Sequence, residues 1–450
     1  MRASAVRNCD MAFANIYCWQ DAYRSEWAEV EGFLVVRYRI DGGHRTAYMQ
    51  PIGADGREDF TSIVPLLEAD AAASGQPLRI AGLTSDAAEM LRSAYPEKFA
   101  FADNRNFADY IYSADDLRNL AGRRYQPKRN HLNRFNDLYD YRYEPLTARH
   151  KDECMALERQ WRAHRADVGG SMDAEQLAMM RGFDRFDELG LTGGAIYIDG
   201  RLAAFTYGSP INGDTFDIHI EKADTSYEGI FAAVNRLFAC HIPECYEFIN
   251  REEDMGLEGL RRSKLSYHPV RLEPKTTAVV LDREEREIKR LWREVFGDEE
   301  ALVDKFLINC RTHSDSYLHY EDGQLVSMLH VVPFRSDSGE RIAYVYAVAT
   351  SPEWRHKGLA SALMSEAMEK LPHSFDRAVL IPSGDEAARF YERFGFVRTE
   401  IHVEFGTDFD FGTGETERDI AMVCELRHSQ QPFGETVRLE PAGFFVLPEE

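Results

Sequence analysis

Cysteine is scarce in this sequence. Seven residues among 450 are cysteines, and no two of them form a Cys-x-x-Cys pair. An odd number of scattered cysteines indicates neither a disulfide framework nor a zinc-finger site. The fourteen histidines also lack the short spacings of metal-binding motifs. We therefore expect no metal ion and a chain held together by hydrophobic cores.

Long apolar runs are absent as well. The first thirty residues mix Arg2 and Arg7 with Asp10, Asp21 and Glu26 and contain no apolar core of signal-peptide length. No later stretch reaches the length of a membrane-spanning helix. These patterns predict a cytoplasmic protein with no membrane span.

Positive charge is in short supply. The chain carries 53 Lys and Arg against 76 Asp and Glu, a net charge of -23. This balance favours solubility and disfavours loose attraction to nucleic acid, so a tRNA partner would need a local basic patch. A length of 450 residues with 44% hydrophobic content predicts two to four globular domains.

The clearest local pattern is a strand, a turn and a helix. Residues 344–350 are apolar and rich in β-branched and aromatic side chains, and Pro352 ends the strand. A helix with one apolar face begins near Gly358 and carries Leu359, Ala362, Leu363, Ala367 and Leu371 at helical spacing. Free N–H groups at the first helical turn, together with Arg355 and Lys357, favour binding of a pyrophosphate there.

This stretch, Val-Ala-Thr-x-Pro-x-x-Arg-x-x-Gly-x-Ala, resembles motif A of the GNAT N-acetyltransferases, the loop that holds the pyrophosphate of acetyl-coenzyme A. Residues 388–396, Ala-Arg-Phe-Tyr-Glu-Arg-Phe-Gly-Phe, resemble motif B of that family. The resemblance covers about residues 280–427. It implies that acetyl-coenzyme A is the co-substrate, bound by Val348, Ala349, Thr350, Arg355, His356, Lys357, Gly358, Leu359 and Ala360.

The resemblance also implies a mechanism of direct transfer. An amine attacks the thioester carbonyl, and a backbone N–H at the end of the 344–350 strand stabilises the oxyanion. Tyr391 is the candidate acid that protonates the departing thiolate. The general base stays open among Glu404, His330 and His319.

Three hairpins suggest an internal repeat. Asp-Gly or Asp-Gly-Gly separates two apolar runs at residues 33–48, 195–205 and 317–329. The order hairpin, strand, helix, strand, helix recurs after the second and third hairpins, with Gly229 standing where Gly358 stands. We therefore predict an α/β (α+β) protein of three GNAT-like modules, residues 1–143, 144–278 and 279–450, each a mixed, mostly antiparallel sheet flanked by helices.

The repeats differ at the positions that would bind coenzyme A. Ser226 stands in the middle module where the last module has Arg355, and Asp224 and Glu228 add negative charge there. Arg262 aligns roughly with Tyr391. The sequence therefore assigns acetyl transfer to the third module.

The first two modules contain a basic run, residues 123–135. This run, together with residues 250–269, resembles the soluble C-terminal domain of bacterial phosphatidylglycerol lysyltransferases over about residues 10–275. Such proteins pair two GNAT-like units, and their membrane-bound members pass an aminoacyl group from tRNA to a lipid. The alternative is a solvated helix whose buried side is Phe135 and Leu138. The resemblance suggests an anionic-substrate site at Lys128, Arg129, Arg134, Arg261 and Arg262.

We interpret the chain as an acyltransferase, a GNAT-type N-acetyltransferase that passes an acetyl group from acetyl-coenzyme A to an amine of a small molecule or peptide. One alternative is aminoacyl-tRNA-dependent transfer by the first two modules, and another is ligand binding by those modules without chemistry. Residues after 406 are predicted to form a loop between strands 401–405 and 421–426, followed by an extended tail from residue 428.

Overall fold

The computed structural model describes residues 6–163, 171–406, 420–427 and 433–441. Its strands form three mixed, mostly antiparallel sheets flanked by helices, which confirms the predicted fold class. Within these residues, every helix is too short or too polar to cross a lipid bilayer.

The strands and helices have the following bounds. The strands are β1 (Glu26–Val30), β2 (Phe33–Ile40), β3 (Arg45–Met49), β4 (Ile52–Gly53), β5 (Arg79–Leu83), β6 (Phe99–Asp103), β7 (Asp109–Ser113), β8 (Tyr141–Leu146), β9 (Thr192–Ile198), β10 (Arg201–Pro210), β11 (Thr215–Ala223), β12 (Phe248–Asn250), β13 (Arg271–Glu273), β14 (Thr276–Val280), β15 (Asp315–Glu321), β16 (Gln324–Ser336), β17 (Arg341–Thr350), β18 (Arg377–Leu380), β19 (Val397–Phe405), β20 (Ile420–Glu425) and β21 (Thr436–Pro441). The helices are α1 (Phe13–Cys18), α2 (Gln20–Tyr23), α3 (Val64–Ala73), α4 (Ser85–Ala94), α5 (Ala114–Asn119), α6 (Gln126–Leu138), α7 (Lys151–Ala163), α8 (Ser171–Asp184), α9 (Ile230–His241), α10 (Glu258–Leu265), α11 (Arg283–Phe296), α12 (Glu300–Asn309), α13 (Leu359–Lys370) and α14 (Asp385–Glu392).

The described residues group into two compact units. The first unit takes those of Met1–Pro96 and Asp103–Val279, and the second takes those of Glu97–Ala102 and Val280–Val446. The start of the third module at residue 279 stays a prediction; the main segment of the second unit begins at Val280, and the unit also contains the short segment 97–102.

The first unit contains two sheets. The first sheet has the order β1-β2-β3-β5-β14, with β4 on β2, and the second has the order β13-β7-β12-β11-β10-β9-β8. The boundary predicted near residue 143 lies inside β8. The strand before this boundary, β7, belongs to the same sheet as β8. β7, which precedes this boundary, pairs with β12 and β13, which follow it.

The third sheet forms the second unit, in the order β15-β16-β17-β18-β20-β19-β21, and β21 also pairs with β16. Its predicted hairpin turns at Asp322 and Gly323, whose φ angles of 50° and 79° are left-handed. The equivalent hairpin of the second sheet turns at Asp199 and Gly200 in the same way. Such a turn needs two residues with positive φ, which is why Asp-Gly predicted both hairpins correctly.

A parallel strand pair in each of the last two sheets is short. In the third sheet, β17 pairs with β18 only over Ile342–Tyr344 and Arg377–Val379. In the second sheet, β11 pairs with β12 only over Thr215–Asp217 and Phe248–Asn250. Among the described residues the pairing does not extend beyond these three-residue contacts, so residues 345–350 of β17 have no strand partner on that edge.

The helices that follow β11 and β17 each begin after a glycine with a left-handed backbone conformation. Gly229 precedes α9 with a φ of 82°, and Gly358 precedes α13 with a φ of 84°. A Cβ atom added to Gly229 would lie 2.4 Å from the carbonyl oxygen of His131 on α6, whereas one added to Gly358 would meet no atom of the described residues within 4 Å. The space before α9 is therefore filled by the protein itself, and the space before α13 is open.

Candidate functional site

Residues 355–360 form an exposed turn between β17 and α13. His356 and Gly358 have left-handed backbone conformations, with φ angles of 62° and 84°. Within the described residues, no backbone acceptor receives the N–H groups of residues 356–361. Successive unpaired N–H groups at a helix start form a concave donor surface that suits an anion such as phosphate.

Two cations flank this turn. The Nε atom of Arg355 donates to the carbonyl oxygen of Thr350 at 3.3 Å, which holds the guanidinium beside the strand end. The Nζ atom of Lys357 lies 3.8 Å from the ring centroid of Trp354. Neither cation pairs with a carboxylate of the described chain, so both positive charges remain available to an anion.

The last residues of β17 form hydrogen bonds with the neighbouring strand β16. The Oγ atom of Ser327 on β16 donates to the carbonyl oxygen of Ala349 at 3.1 Å and lies 2.9 Å from Thr350 Oγ1. Val348 packs against the core of the second unit, while Leu359 and Ala360 are half-buried at the first turn of α13. The structure thus brings all nine residues predicted to bind the cofactor into one continuous strand, turn and helix start.

Tyr391 lies on α14 and packs against the same core as Val348. Its ring centroid is 5.1 Å from that of Phe390 and 6.1 Å from that of Phe396. Burial raises the pKa of Tyr391 to about 12. Its hydroxyl therefore keeps its proton at neutral pH, and no hydrogen bond of the described residues engages it.

The three candidate bases occupy different surroundings. His330 is completely buried beside Trp292 and Phe306, and burial lowers its pKa to about 3. His319 is half-exposed and lies 3.0 Å from Glu321, and Glu404 is exposed on β19. No hydrogen bond or ion pair of the described chain joins any of them to Tyr391, so the identity of the base stays open.

The residues proposed for an anionic-substrate site lie on α6 and α10 and have separate partners. Arg129 donates to the carbonyl oxygens of Leu120 and Gly122. Arg134 forms an exposed ion pair with Glu228 at 2.7 Å, and Arg262 forms one with Glu258. Arg129 therefore caps the chain segment before α6, whereas Arg134 and Arg262 belong to solvated helix faces.

Lys128 is the exception on α6, because it makes no hydrogen bond or ion pair within the described residues. Its Nζ atom lies 3.9 Å from the ring centroid of Tyr267. Burial, with a further contribution from Arg251, lowers its pKa to about 8. Of the two residues predicted to form the buried side of this helix, Phe135 is buried as expected, but Leu138 is 52% exposed.

A stretch of five polar residues, Asn250-Arg251-Glu252-Glu253-Asp254, begins at the last residue of β12 and is buried or half-buried throughout. We call it the polar loop. Each of its side chains has its own partner. Asn250 donates to Asp109 at 2.8 Å, and Arg251 donates to Glu221 at 2.9 Å. Asp254 accepts from Arg261 at 2.8 Å, Glu252 lies 3.4 Å from His219, and Glu253 lies 3.4 Å from Lys275.

Lys275 lies among acidic groups near this loop. Its Nζ atom is 2.9 Å from Asp109 Oδ1, 3.1 Å from Asp10 Oδ1 and 3.1 Å from Cys9 Sγ. Burial alone would lower the pKa of Lys275, but Asp10 and Asp109 outweigh it and raise that pKa well above its usual value. The ammonium group thus supplies a buried positive charge that several acidic side chains require.

A second group along the polar loop joins Asp217, His219 and Glu252. Asp217 and His219 alternate along β11, so both side chains lie on the same face of the strand. Burial lowers the pKa of His219, but Asp217 and Glu252 outweigh it and raise that pKa to about 9. The sequence prediction did not include this group, although the Asp-x-His spacing in a strand is a signal that could have indicated it.

Replacing Lys275 with Met keeps most of the side-chain volume but leaves the carboxylates of Asp109 and Glu253 without their cation. Because breaking a buried ion pair from one side costs about 3–5 kcal/mol, we expect the free energy of unfolding to fall by that amount. Urea unfolding of the full chain measures it. Lys151→Met removes a cation from the exposed pair with Asp184 and should cost less than about 1 kcal/mol. Equal effects of the two variants would contradict a structural role for Lys275.

Comparisons with known proteins match the two units separately. A family model described as phosphatidylglycerol lysyltransferase, C-terminal, matches residues 2–279, and one described as acetyltransferase (GNAT) domain matches residues 279–398. No curated protein matches this chain.

Solved structures provide further similarities. A conserved protein of unknown function from Bacteroides thetaiotaomicron is 41% identical, with 62% of this chain and 93% of that chain covered and a TM-score of 0.59. L-PGS from Bacillus licheniformis is 14% identical, with coverage of 60% and 92% and a TM-score of 0.44. A GNAT family N-acetyltransferase from Escherichia coli, solved in complex with CoA, is 18% identical, with coverage of 37% and 88% and a TM-score of 0.29.

The phosphatidylglycerol lysyltransferase model covers more than half of the chain, and the GNAT model begins where it ends. The chain is an acyltransferase that belongs to the phosphatidylglycerol lysyltransferase C-terminal family and carries a GNAT acetyltransferase domain after that region.

Proposed function

We propose that the GNAT domain transfers an acetyl group from acetyl-coenzyme A to an amine. The observation that carries this proposal is the open space before α13. Gly229 and Gly358 have the same backbone conformation, but only Gly358 has nothing within 4 Å of an added Cβ atom. An anion can approach the N–H groups after Gly358, whereas the carbonyl oxygen of His131 occupies that position before α9.

The residues around Gly358 fit a pyrophosphate. The N–H groups of residues 356–361, which have no backbone acceptor in the described chain, lie next to or within the first turn of α13, where the helix dipole is positive. Arg355 and Lys357 add two charges that no carboxylate of the described chain neutralises. Charge-assisted hydrogen bonds of this kind are worth roughly 1.5–3 kcal/mol each.

The open edge of β17 supports binding of the rest of the coenzyme. On the side of β17 that faces away from β16, residues 345–350 have no strand partner in the described chain, since the pairing with β18 ends at Tyr344 and Val379. An extended amide-containing chain can hydrogen-bond to such an edge as an additional strand would. A backbone N–H near the end of β17 would then stabilise the oxyanion that forms on the acetyl group.

Tyr391 is proposed as the acid. Acetyl-coenzyme A supplies an activated thioester, and its attack by an amine releases a thiolate that requires a proton. Since burial raises the pKa of Tyr391 to about 12, the hydroxyl is protonated at neutral pH and can donate. The acceptor amine and the general base are left to experiment, with a screen of amines monitored by thiol release as the first step.

Gly358→Asp tests the pyrophosphate site. The substitution places a side chain and a negative charge among the N–H groups, so we expect coenzyme A binding to the full chain to become undetectable by calorimetry. The loss of two or more charge-assisted hydrogen bonds, roughly 3–6 kcal/mol, accounts for this.

Gly339→Asp is the matched control. Gly339 has a φ of 85°, nothing lies within 4 Å of an added Cβ atom, and it precedes the opposite end of β17. The control carries the same backbone strain and the same added charge, so it should bind coenzyme A as the parent does. Tight binding by Gly358→Asp would show that the pyrophosphate lies elsewhere.

Tyr391→Phe tests the acid. The ring and its packing remain, and only the hydroxyl is lost. A thiol has a pKa of about 8.5, so the benefit of protonating the leaving group should be at the low end of general acid catalysis. We predict a fall in kcat of about a hundredfold, roughly 2.7 kcal/mol of barrier, with little change in coenzyme A affinity.

Tyr317→Phe provides the comparison, because Tyr317 belongs to the same core. It should leave kcat unchanged if the loss in Tyr391→Phe reflects chemistry rather than packing. Turnover by Tyr391→Phe within threefold of the parent throughout the neutral pH range would assign Tyr391 to the core alone.

A second candidate function is aminoacyl transfer by the first unit. Family membership of residues 2–279 favours it, and Lys128 provides a half-buried cation with no carboxylate partner in the described chain. If the substrate is an aminoacyl-tRNA, Lys128→Glu should weaken tRNA binding by at least about tenfold, because it replaces one phosphate contact by repulsion. Filter binding at fixed salt measures this, with Lys151→Glu as the control for the change in net charge. Absence of tRNA binding by the parent would exclude this function.

A further inference from the structure

Two groups of potential ligand atoms lie along the polar loop. One consists of Cys9, Asp109 and Glu253, and the other of Asp217, His219 and Glu252. Within each group the nearest nitrogen, oxygen or sulfur atoms are all within 4.8 Å of one another. They differ in how their negative charge is balanced.

The first group already contains a cation. Lys275 Nζ lies 2.9 Å from Asp109 Oδ1, 3.1 Å from Cys9 Sγ and 3.4 Å from Glu253 Oε2. An ammonium group at these distances occupies the position that a metal ion would need. The first group is therefore complete without one.

The second group has no lysine or arginine among its described contacts. The Nδ1 atom of His219 lies 3.3 Å from Asp217 Oδ2 and 3.4 Å from Glu252 Oε1. The side chain of Asp217 is fully buried, and its second oxygen, Oδ1, has no hydrogen-bond partner within the described part of the chain. A buried carboxylate oxygen without a partner is costly and indicates a missing one.

The orientation of His219 directs Nδ1 at the two carboxylates. Its other ring nitrogen, Nε2, lies 2.7 Å from Ser209 Oγ, which fixes the ring. With a proton on Nδ1, a single N–H would be shared between two acceptors at 3.3 and 3.4 Å, longer than the usual hydrogen-bond range of about 2.7–3.2 Å. A protonated His219 would therefore serve both carboxylates through one shared N–H.

The same distances suit a tetrahedral metal ion. Ligand atoms bound to zinc at roughly 2.0–2.1 Å in a tetrahedron lie roughly 3.3–3.4 Å from one another. Metal-bound histidines typically use their second nitrogen in a hydrogen bond to an oxygen, as His219 does with Ser209. The two carboxylates of Asp217 and Glu252 would also neutralise the charge of a divalent ion. In the described chain, no lysine or arginine contacts these carboxylates.

We propose that Asp217, His219 and Glu252 bind a divalent transition-metal ion of the zinc class, with one coordination position left for water or another ligand. Glu252, whose side chain is 25% exposed, provides the opening to solvent. Asn15 supports the arrangement, because its amide lies 2.9 Å from Glu252 Oε1 and 3.4 Å from Asp217 Oδ2. This site lies in the first unit and is independent of acetyl transfer. It also departs from the sequence-based expectation of no metal ion.

The test uses the untagged full-length chain after treatment with a chelator. Zinc is titrated by calorimetry, and cobalt(II) is titrated by visible absorption. We expect one ion per chain and a cobalt spectrum of a four-coordinate nitrogen and oxygen site. A thiolate-to-cobalt band would instead assign the ion to Cys9 and overturn the proposal.

Variants locate the site. His219→Gln and Glu252→Gln should each weaken zinc binding by at least roughly 100-fold, because each removes a ligand. Glu252 is partly exposed, so its variant is expected to fold even if the buried His219 variant does not. His150→Gln is the matched control, since His150 Nε2 lies 3.2 Å from a single carboxylate, that of Glu144. Absence of saturable binding by the parent, or binding by Glu252→Gln as tight as the parent's, would overturn the proposal.

Discussion

The polar loop sets the main constraint on the first unit. Five consecutive polar side chains, residues 250–254, are withdrawn from water, and each must find a partner because a buried charge without one is strongly destabilising. The partners come from α10, from β7 and β11, and from Lys275, which lies just before β14. These elements must therefore be in register with one another, which ties residues far apart in sequence into one compact unit.

One structural device serves two purposes in this chain. In both the second and the third sheet, a short parallel strand pair diverges after three residues, and a helix follows a left-handed glycine. In the second sheet, the polar loop follows the diverging strand, and α6 closes the space before α9. In the third sheet, the strand edge and the helix start of the described chain remain open. Because the protein fills the space before α9, the second sheet holds buried charged residues there. Because the space before α13 is open, the third sheet can bind a ligand there.

Local signals allowed much of this to be predicted from sequence. Asp322 and Gly323 specify a tight hairpin, and the residues around Gly358 specify a strand, a turn and a helix, because each depends only on neighbouring residues. The helix predicted to begin near Gly358 matches α13, which begins at Leu359. The boundary near residue 143 was misplaced because β7 pairs with strands more than a hundred residues later, which no local pattern reveals.

The candidate sites follow the same rule. The cofactor residues are contiguous and could be predicted together, whereas the anionic-substrate residues could not. Charge in sequence does not show that Arg134 pairs with Glu228 or that Arg261 is committed to Asp254. Similarly, Asp217 and His219 meet Glu252 only because β11 and β12 are adjacent.

We propose that the chain has one open coenzyme site, before α13, and that its own structure fills the equivalent position before α9. Hydrogen–deuterium exchange of the full chain with saturating coenzyme A, combined with the calorimetric stoichiometry, tests this most directly. We expect one molecule per chain and slowed exchange over residues 345–361, with no change over residues 226–234. Two molecules per chain, or protection around Gly229, would contradict it.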